Sequence, residues 1–327
     1  LEKLADVRLS LKEIAKIYVF PIIFIVFYRK HPYIIVTFCP IPEICVIRTR
    51  RFLYLLLPAC LFLTFLSRTN AFAVCSWEIP RLPHDARSQA LACATVALPP
   101  YHDPCLSNPA GICGLAGHTI TLFTTRLYGL PELPMGVLSL TFPIHDAWCF
   151  GVRLYGLGRP PYREWAAETA CAVSPITGCV AGISLLHGVQ YVERYNSTSN
   201  IGLCAGARID FSGTYALGGS VTLSAISTTG RFKWSRIHWR TGALLRVTSN
   251  CSLLVEGEKE PGHSMQLKIG CETGPAGIVC IRMGMTQNPA LFCCGIAVHR
   301  KPVTVNYALT LHSLLGATHG ISLTWHW

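Results

Sequence analysis

The chain has 327 residues, 51% of them hydrophobic but only 14% charged, and a formal net charge of +11. A soluble domain carries nearer about a quarter charged residues, so much of this surface need not face bulk water. The basic excess does not point to nucleic acid: apart from Arg48, Arg50 and Arg51, many cations sit singly at alternating or turn positions, without the clustered footprint such binding requires.

Residues 1–47 are expected to be an upstream or non-native extension, with Val46 as an alternative start. Residues 48–73 read as an export signal. Arg48, Arg50 and Arg51 precede the apolar run Phe52 to Leu66, and Ala71-Phe72-Ala73 supplies a small-x-small cleavage site. An uncleaved anchor would normally need nearer about 20 apolar residues. Val74 before Cys75 argues against a lipoprotein.

Residues 74–117 form a separate lead-in. They contain Asp85-Ala86-Arg87-Ser88, the run Ala90 to Ala97, a Pro-rich break, Asp103-Pro104, and Asn108-Pro109-Ala110-Gly111. Asn108-Pro109 is a turn former, with Pro fixing φ and Asn capping through its side chain. His84 and His118 fall in or beside this segment, where solvated histidines are ordinary.

From His118 to Trp327 the pattern becomes period-2, as a strand with lipid on one side and a lumen on the other requires. Trp148, Phe150, Val152 and Leu154 alternate with Gly151, Arg153 and Tyr155. Ile201, Leu203 and Ile209 interleave with Gly202, Gly206, Arg208 and Asp210. Further segments include Leu217 to Ala225, Trp239 to Thr248, Met265 to Gly270 and Val303 to Thr310. Weaker ones begin near Thr119, Met135, Arg163, Val180, Ser252, Gly277 and Leu291. With the last strand these come to about fourteen, an even number as bacterial barrels have. The expected fold is therefore all-β, a transmembrane antiparallel β-barrel over residues 118–327 with an N-terminal hatch. A soluble β-sandwich would alternate too, but its outer face would carry Lys and Glu rather than Gly, Ser, Thr and isolated Arg.

On the final strand Ile321, Leu323, Trp325 and Trp327 share one face, and Ser322, Thr324 and His326 the other. A terminal aromatic preceded by apolar residues at every second position is similar to the signal read by the barrel-assembly machinery. Trp148, Trp165, Trp239, Trp325, Trp327 and Tyr191 are expected in interfacial girdles. Arg153, Arg208, Asp210, Arg246, Lys268 and Arg282, with Arg240, Glu164, Glu168 and Glu272, should point into the lumen. They read as a charged path or hatch anchor, or more simply as a neutralised packed interior.

No catalytic set emerges. Ser184 with His187, and His312 with Ser313, lack a matched acid. The 16 cysteines include no CxxC or ordered Cys/His spacing, so no metal or other cofactor is implied, and most read as small hydrophobic fillers.

The lead-in and the closing strands together resemble the PorV/PorQ branch of the FadL-like outer-membrane proteins. Members begin with an "ARxxGxGGAxVA" stretch, continue with "DPxxxxxNPAG", and enter a barrel of this size. The chain matches at Ala86-Arg87, Ala94 to Ala97, Asp103-Pro104 and Asn108 to Gly111, and closes with a similar Asn306 to His319 segment. It departs in having Cys93 and Cys113 where members have Gly or small residues. The resemblance implies a hatch inside or beneath the barrel. It also implies an accessory role in protein export or surface attachment, with exported proteins or a secretion complex as partners and lipopolysaccharide around the wall. The alternative it implies is a hatch-gated channel for hydrophobic or small solutes. Terminal sequencing of the protein from outer membranes should begin at Val74; a start within residues 1–47 would contradict the export reading.

Overall fold

The computed structural model describes residues 22–28, 31–37, 46–47, 79–100, 107–115, 117–145, 147–195, 197–211, 213–227 and 233–327. The chain divides into two units, Leu1–Thr69 and Asn70–Trp327. In the first, β1 (Ile22–Tyr28), β2 (His31–Thr37) and β3 (Val46–Ile47) form a small antiparallel sheet. Residues 48–73, where the export signal is expected, lie outside the described residues.

The second unit is a closed barrel. Its strands are β4 (Thr119–Arg126), β5 (Pro134–His145), β6 (Trp148–Leu157), β7 (Tyr162–Ile176), β8 (Cys179–Val192), β9 (Thr198–Phe211) and β10 (Tyr215–Ser227). They continue with β11 (Lys233–Thr248), β12 (Cys251–Lys259), β13 (Gln266–Thr273), β14 (Val279–Thr286), β15 (Leu291–Arg300), β16 (Val303–His312) and β17 (Gly316–His326). Each pairs antiparallel with the next, and β17 returns to β4 with Leu323 opposite Leu122. The seam is extended by two backbone bonds, His118 N–H to Trp327 O (3.1 Å) and Trp327 N–H to His118 O (3.2 Å). These fourteen strands leave no sheet edge unpaired, which is the usual liability of β structure.

Alternation sorts the side chains opposite to a soluble protein. Ile183 is 60% exposed and its neighbour Ser184 3%. Outward positions carry Leu122, Leu203, Leu267, Phe292 and Val305, while Thr121, Arg208, Lys268, Asn306 and Ser322 are buried inside. Large apolar side chains left exposed all round a wall need a nonaqueous surrounding. That excludes the soluble sandwich. Of the aromatic residues expected in interfacial girdles, Trp148, Trp165, Trp325, Trp327 and Tyr191 are exposed on the wall, whereas Trp239 is buried. Tight turns at 177–178, 249–250 and 301–302 share the end where both barrel termini lie, and longer connections at 127–133 and 260–265 close the other end.

The hatch fills the lumen. Its helix α1 (Ala86–Ala90) is started by a capping box, in which Asp85 accepts from Ser88 N–H (2.6 Å) and Ser88 Oγ reaches back to Asp85 N–H. A 3-10 turn follows at Pro109–Ile112, with Pro at its first position and Asn108 as cap. α1 packs against β14–β17, whereas the 3-10 turn packs against β6–β9, so the hatch bridges opposite walls. The wall makes room with glycine. A Cβ on Gly182 would stand 2.7 Å from the Pro109 carbonyl carbon and 2.8 Å from Ala110 N, and Gly206, Gly218, Gly242, Gly284 and Gly320 also face hatch atoms. Gly182 and Gly206 are cross-strand partners, as are Gly218 and Gly242, which makes the contact a belt. Gly182→Leu should therefore push the 3-10 turn off β8 and loosen the plug while leaving the barrel closed. The check is a raised single-channel conductance in planar bilayers with heat-modifiable gel mobility retained; unchanged conductance would contradict the packing.

Candidate functional site: a plugged lumen with a cavity beside the hatch

The hatch is held by buried charge. Glu272 on β13 sits between two guanidinium groups, accepting from Arg87 of α1 (Nε 3.0 Å, Nη2 2.9 Å) and from Arg282 of β14 (Nε 2.7 Å). Arg282 Nη1 donates on to Asn306 Oδ1 (2.7 Å), whose amide reaches Ser322 Oγ (3.2 Å). Arg87 and Arg282 are almost fully buried, and Glu272 is completely so. Buried charges persist only when paired and hydrogen-bonded, and this cluster meets both conditions.

Two further anchors act on the backbone. Glu256 of β12 accepts from the amides of Thr95 (2.7 Å) and Val96 (2.8 Å). Asn108 donates to Val96 O (2.7 Å) and Ala207 O (3.2 Å) and accepts from Ala110 N–H (3.0 Å). One side chain thus ties the two limbs of the hatch together and to β9. Pro109, Ala110 and Gly111 are buried beside it.

Arg153 sits in a second cluster, with Glu168 at 3.3 Å and Tyr155 Oη at 2.9 Å. Its Nη1 also lies 2.9 Å from His84 Nδ1, and the His84 ring meets Tyr155 edge-on at 5.3 Å. His84 is therefore a buried lumen group rather than the solvated histidine its position suggests, because the hatch carries it inward. Lys268 pairs with Glu258 and lies 3.7 Å from Glu256. Arg208 is buried and lies 3.2 Å from Asp210, which is partly exposed. Arg246, half-buried, donates to Gly213 O at the turn end, so it belongs to the rim rather than to the hatch anchor. Ser184 and His187 lie on opposite faces of β8, one buried and the other exposed.

Between α1 and the longer connections lies a cavity of about 280 Å³. Leu82, Leu127, Tyr128, Pro289, Leu291 and Cys293 supply its apolar lining, and Gln89 and Ala92 contribute the hatch side. Desolvation pushes the Cys93 thiol up to about 12, so it lines the cavity as a neutral group. The charged residues around the cavity are engaged with one another. Glu260 pairs with Arg81 and with Arg236 (2.7 Å), and Glu258 pairs with Lys268 and with His238 (2.7 Å).

Residue parity places Arg153, Arg208, Lys268 and Arg282 inward from the sequence alone. It does not identify Arg87 or His84, which lie in a segment without period, nor Glu256 and Glu258 as partners of the hatch and of Lys268. The inward glycines are a usable signal for where a hatch packs. Replacing Glu272 with Gln leaves two buried guanidinium groups short of a counter-charge, a loss of about 3–5 kcal/mol for such buried pairs. Glu272→Gln should lower the temperature at which the folded gel band converts to the unfolded one, whereas Glu193→Gln at an exposed loop should not. Equal behaviour of the two variants would contradict the clamp.

No protein-family model matches the chain, and no curated protein matches it in sequence. Solved structures do match in fold. A Pseudomonas aeruginosa FadL homologue superposes with a TM-score of 0.54 at 10% identity, spanning 75% of this chain and 99% of the other. The Ralstonia pickettii toluene transporter TbuX gives 0.52 at 9% identity over 74% and 98%. The monoaromatic hydrocarbon channel CymD gives 0.55 at 11% identity over 74% and 97%. At these identities the likeness is one of fold, and the chain has the 14-strand fold of the FadL-like outer-membrane β-barrels.

Proposed function

We propose that this barrel is a hatch-gated channel through which small, neutral, hydrophobic compounds cross the outer membrane. The observation that carries this reading is the cavity beside α1. An apolar cavity of roughly 150 Å³ is enough to accept benzene; this one, of about 280 Å³, joins an apolar lining to charged side chains that pair with one another. Its charged neighbours are already paired, so a neutral guest leaves those bonds intact while an anion would compete with Glu258 and Glu260. Bacterial outer-membrane barrels place short turns toward the periplasm and longer loops outside. On that rule the cavity opens to the exterior, and the hatch stands between it and the periplasm. Passage then requires α1 and the chain up to Leu98 to yield. The fold-level neighbours named as toluene transporters and as a monoaromatic hydrocarbon channel agree in kind with a one-ring guest. The accessory role in protein export that the PorV/PorQ resemblance implies has no comparable observation behind it.

Uptake of radiolabelled toluene by intact cells lacking other such channels tests the proposal. Cells expressing the barrel should accumulate label faster than cells without it. Cys293→Phe, which fills the cavity, should slow uptake about tenfold, the equivalent of roughly 1.4 kcal/mol of lost binding. No gain in uptake, together with co-purification of exported proteins, would replace the channel with the accessory role.

A further inference from the structure

The second hatch limb ends at Cys113, immediately after the 3-10 turn. Its Sγ lies 3.0 Å from Sγ of Cys149, near the start of β6, and both side chains are buried. A disulfide has a sulfur–sulfur length of about 2.05 Å, so closure needs roughly 1 Å of approach. The setting differs from that of Cys251 and Cys271, whose sulfurs are 4.0 Å apart on neighbouring strands already joined by their ladder. Cys113 and Cys149 instead face each other across the boundary between hatch and wall, where no strand pairing holds the two together. They also sit at the end of the barrel carrying the tight turns, which the loop rule assigns to the periplasm, an oxidising compartment.

We propose that Cys113 and Cys149 form a disulfide that staples the second limb of the hatch to β6. The oxidant is a periplasmic thiol–disulfide exchange protein acting before the barrel closes over the pair. The thiolate of Cys113 attacks the oxidant's disulfide, forming a mixed disulfide and releasing one oxidant thiolate. The thiolate of Cys149 then attacks Sγ of Cys113, forms the intrachain bond and expels the second oxidant thiolate. Two electrons pass to the oxidant, and the two thiol protons end on its reduced sulfurs. The staple makes the Asn108–Cys113 limb a fixed post. The opposite limb, from α1 to Leu98, keeps only noncovalent anchors, so hatch movement is confined to that side.

The test is differential alkylation of the full-length protein in outer membranes prepared without reductant. The sample is denatured in excess maleimide, digested, and sequenced across both cysteines by mass spectrometry. The staple predicts that Cys113 and Cys149 escape alkylation and appear in one linked peptide that separates on reduction, while Cys113→Ala exposes Cys149 to full labelling. Alkylation of both cysteines in the unreduced wild type, or linkage of either to another cysteine, would overturn it. The wild-type measurement decides even if the variant does not fold.

Discussion

A backbone amide facing hydrocarbon has no water to bond, so a membrane-spanning sheet must pair every strand with another. The seam between β17 and β4 meets that requirement here, with the terminal Trp327 backbone bonded to His118. Everything else follows from closure. A closed wall divides the side chains into one set that must be apolar and one set that is shut inside. The inside set then needs partners, and the hatch and neighbouring strands supply them.

The hatch and the wall are accordingly one structure rather than a pore with a cork. Glu272 faces Arg282 across a strand pair and Arg87 on α1, so the same carboxylate bridges a wall cation and a hatch cation. Glu256 takes two hatch amides that would otherwise be buried without acceptors. The glycine belt lets the hatch backbone lie directly on the strands, close enough for those bonds to form. The limb carrying α1 is the more strongly charged side, and it also forms one side of the cavity. Gln89 and Ala92 belong to that limb and line the cavity, so in the proposed channel movement of the limb and admission of a guest would be linked.

Much of the barrel is legible in the sequence because period-2 alternation reports which face a residue occupies. Arg153, Arg208, Lys268 and Arg282 can be placed inward on that ground, and the strand total follows from counting segments. Alternation does not report what a residue meets across the lumen. Arg87, Glu256 and His84 become meaningful only once the hatch is seated in the lumen, through contacts between positions distant in sequence. The glycines of β8–β11 look like dilution of an apolar pattern, yet they mark the hatch footprint. The resemblance in Asn108 to Gly111 is informative about a hatch but carries no information about the guest, since none of these residues lines the cavity.

The proposed channel requires a small neutral hydrophobic compound to seat beside α1 inside the lumen. Crystals of the purified barrel soaked in bromobenzene and measured at the bromine absorption edge test it most directly. An anomalous bromine peak is expected between Leu127, Tyr128 and Leu291, which line the cavity. Bromine found only against the lipid-facing wall, with none inside the barrel, would contradict it.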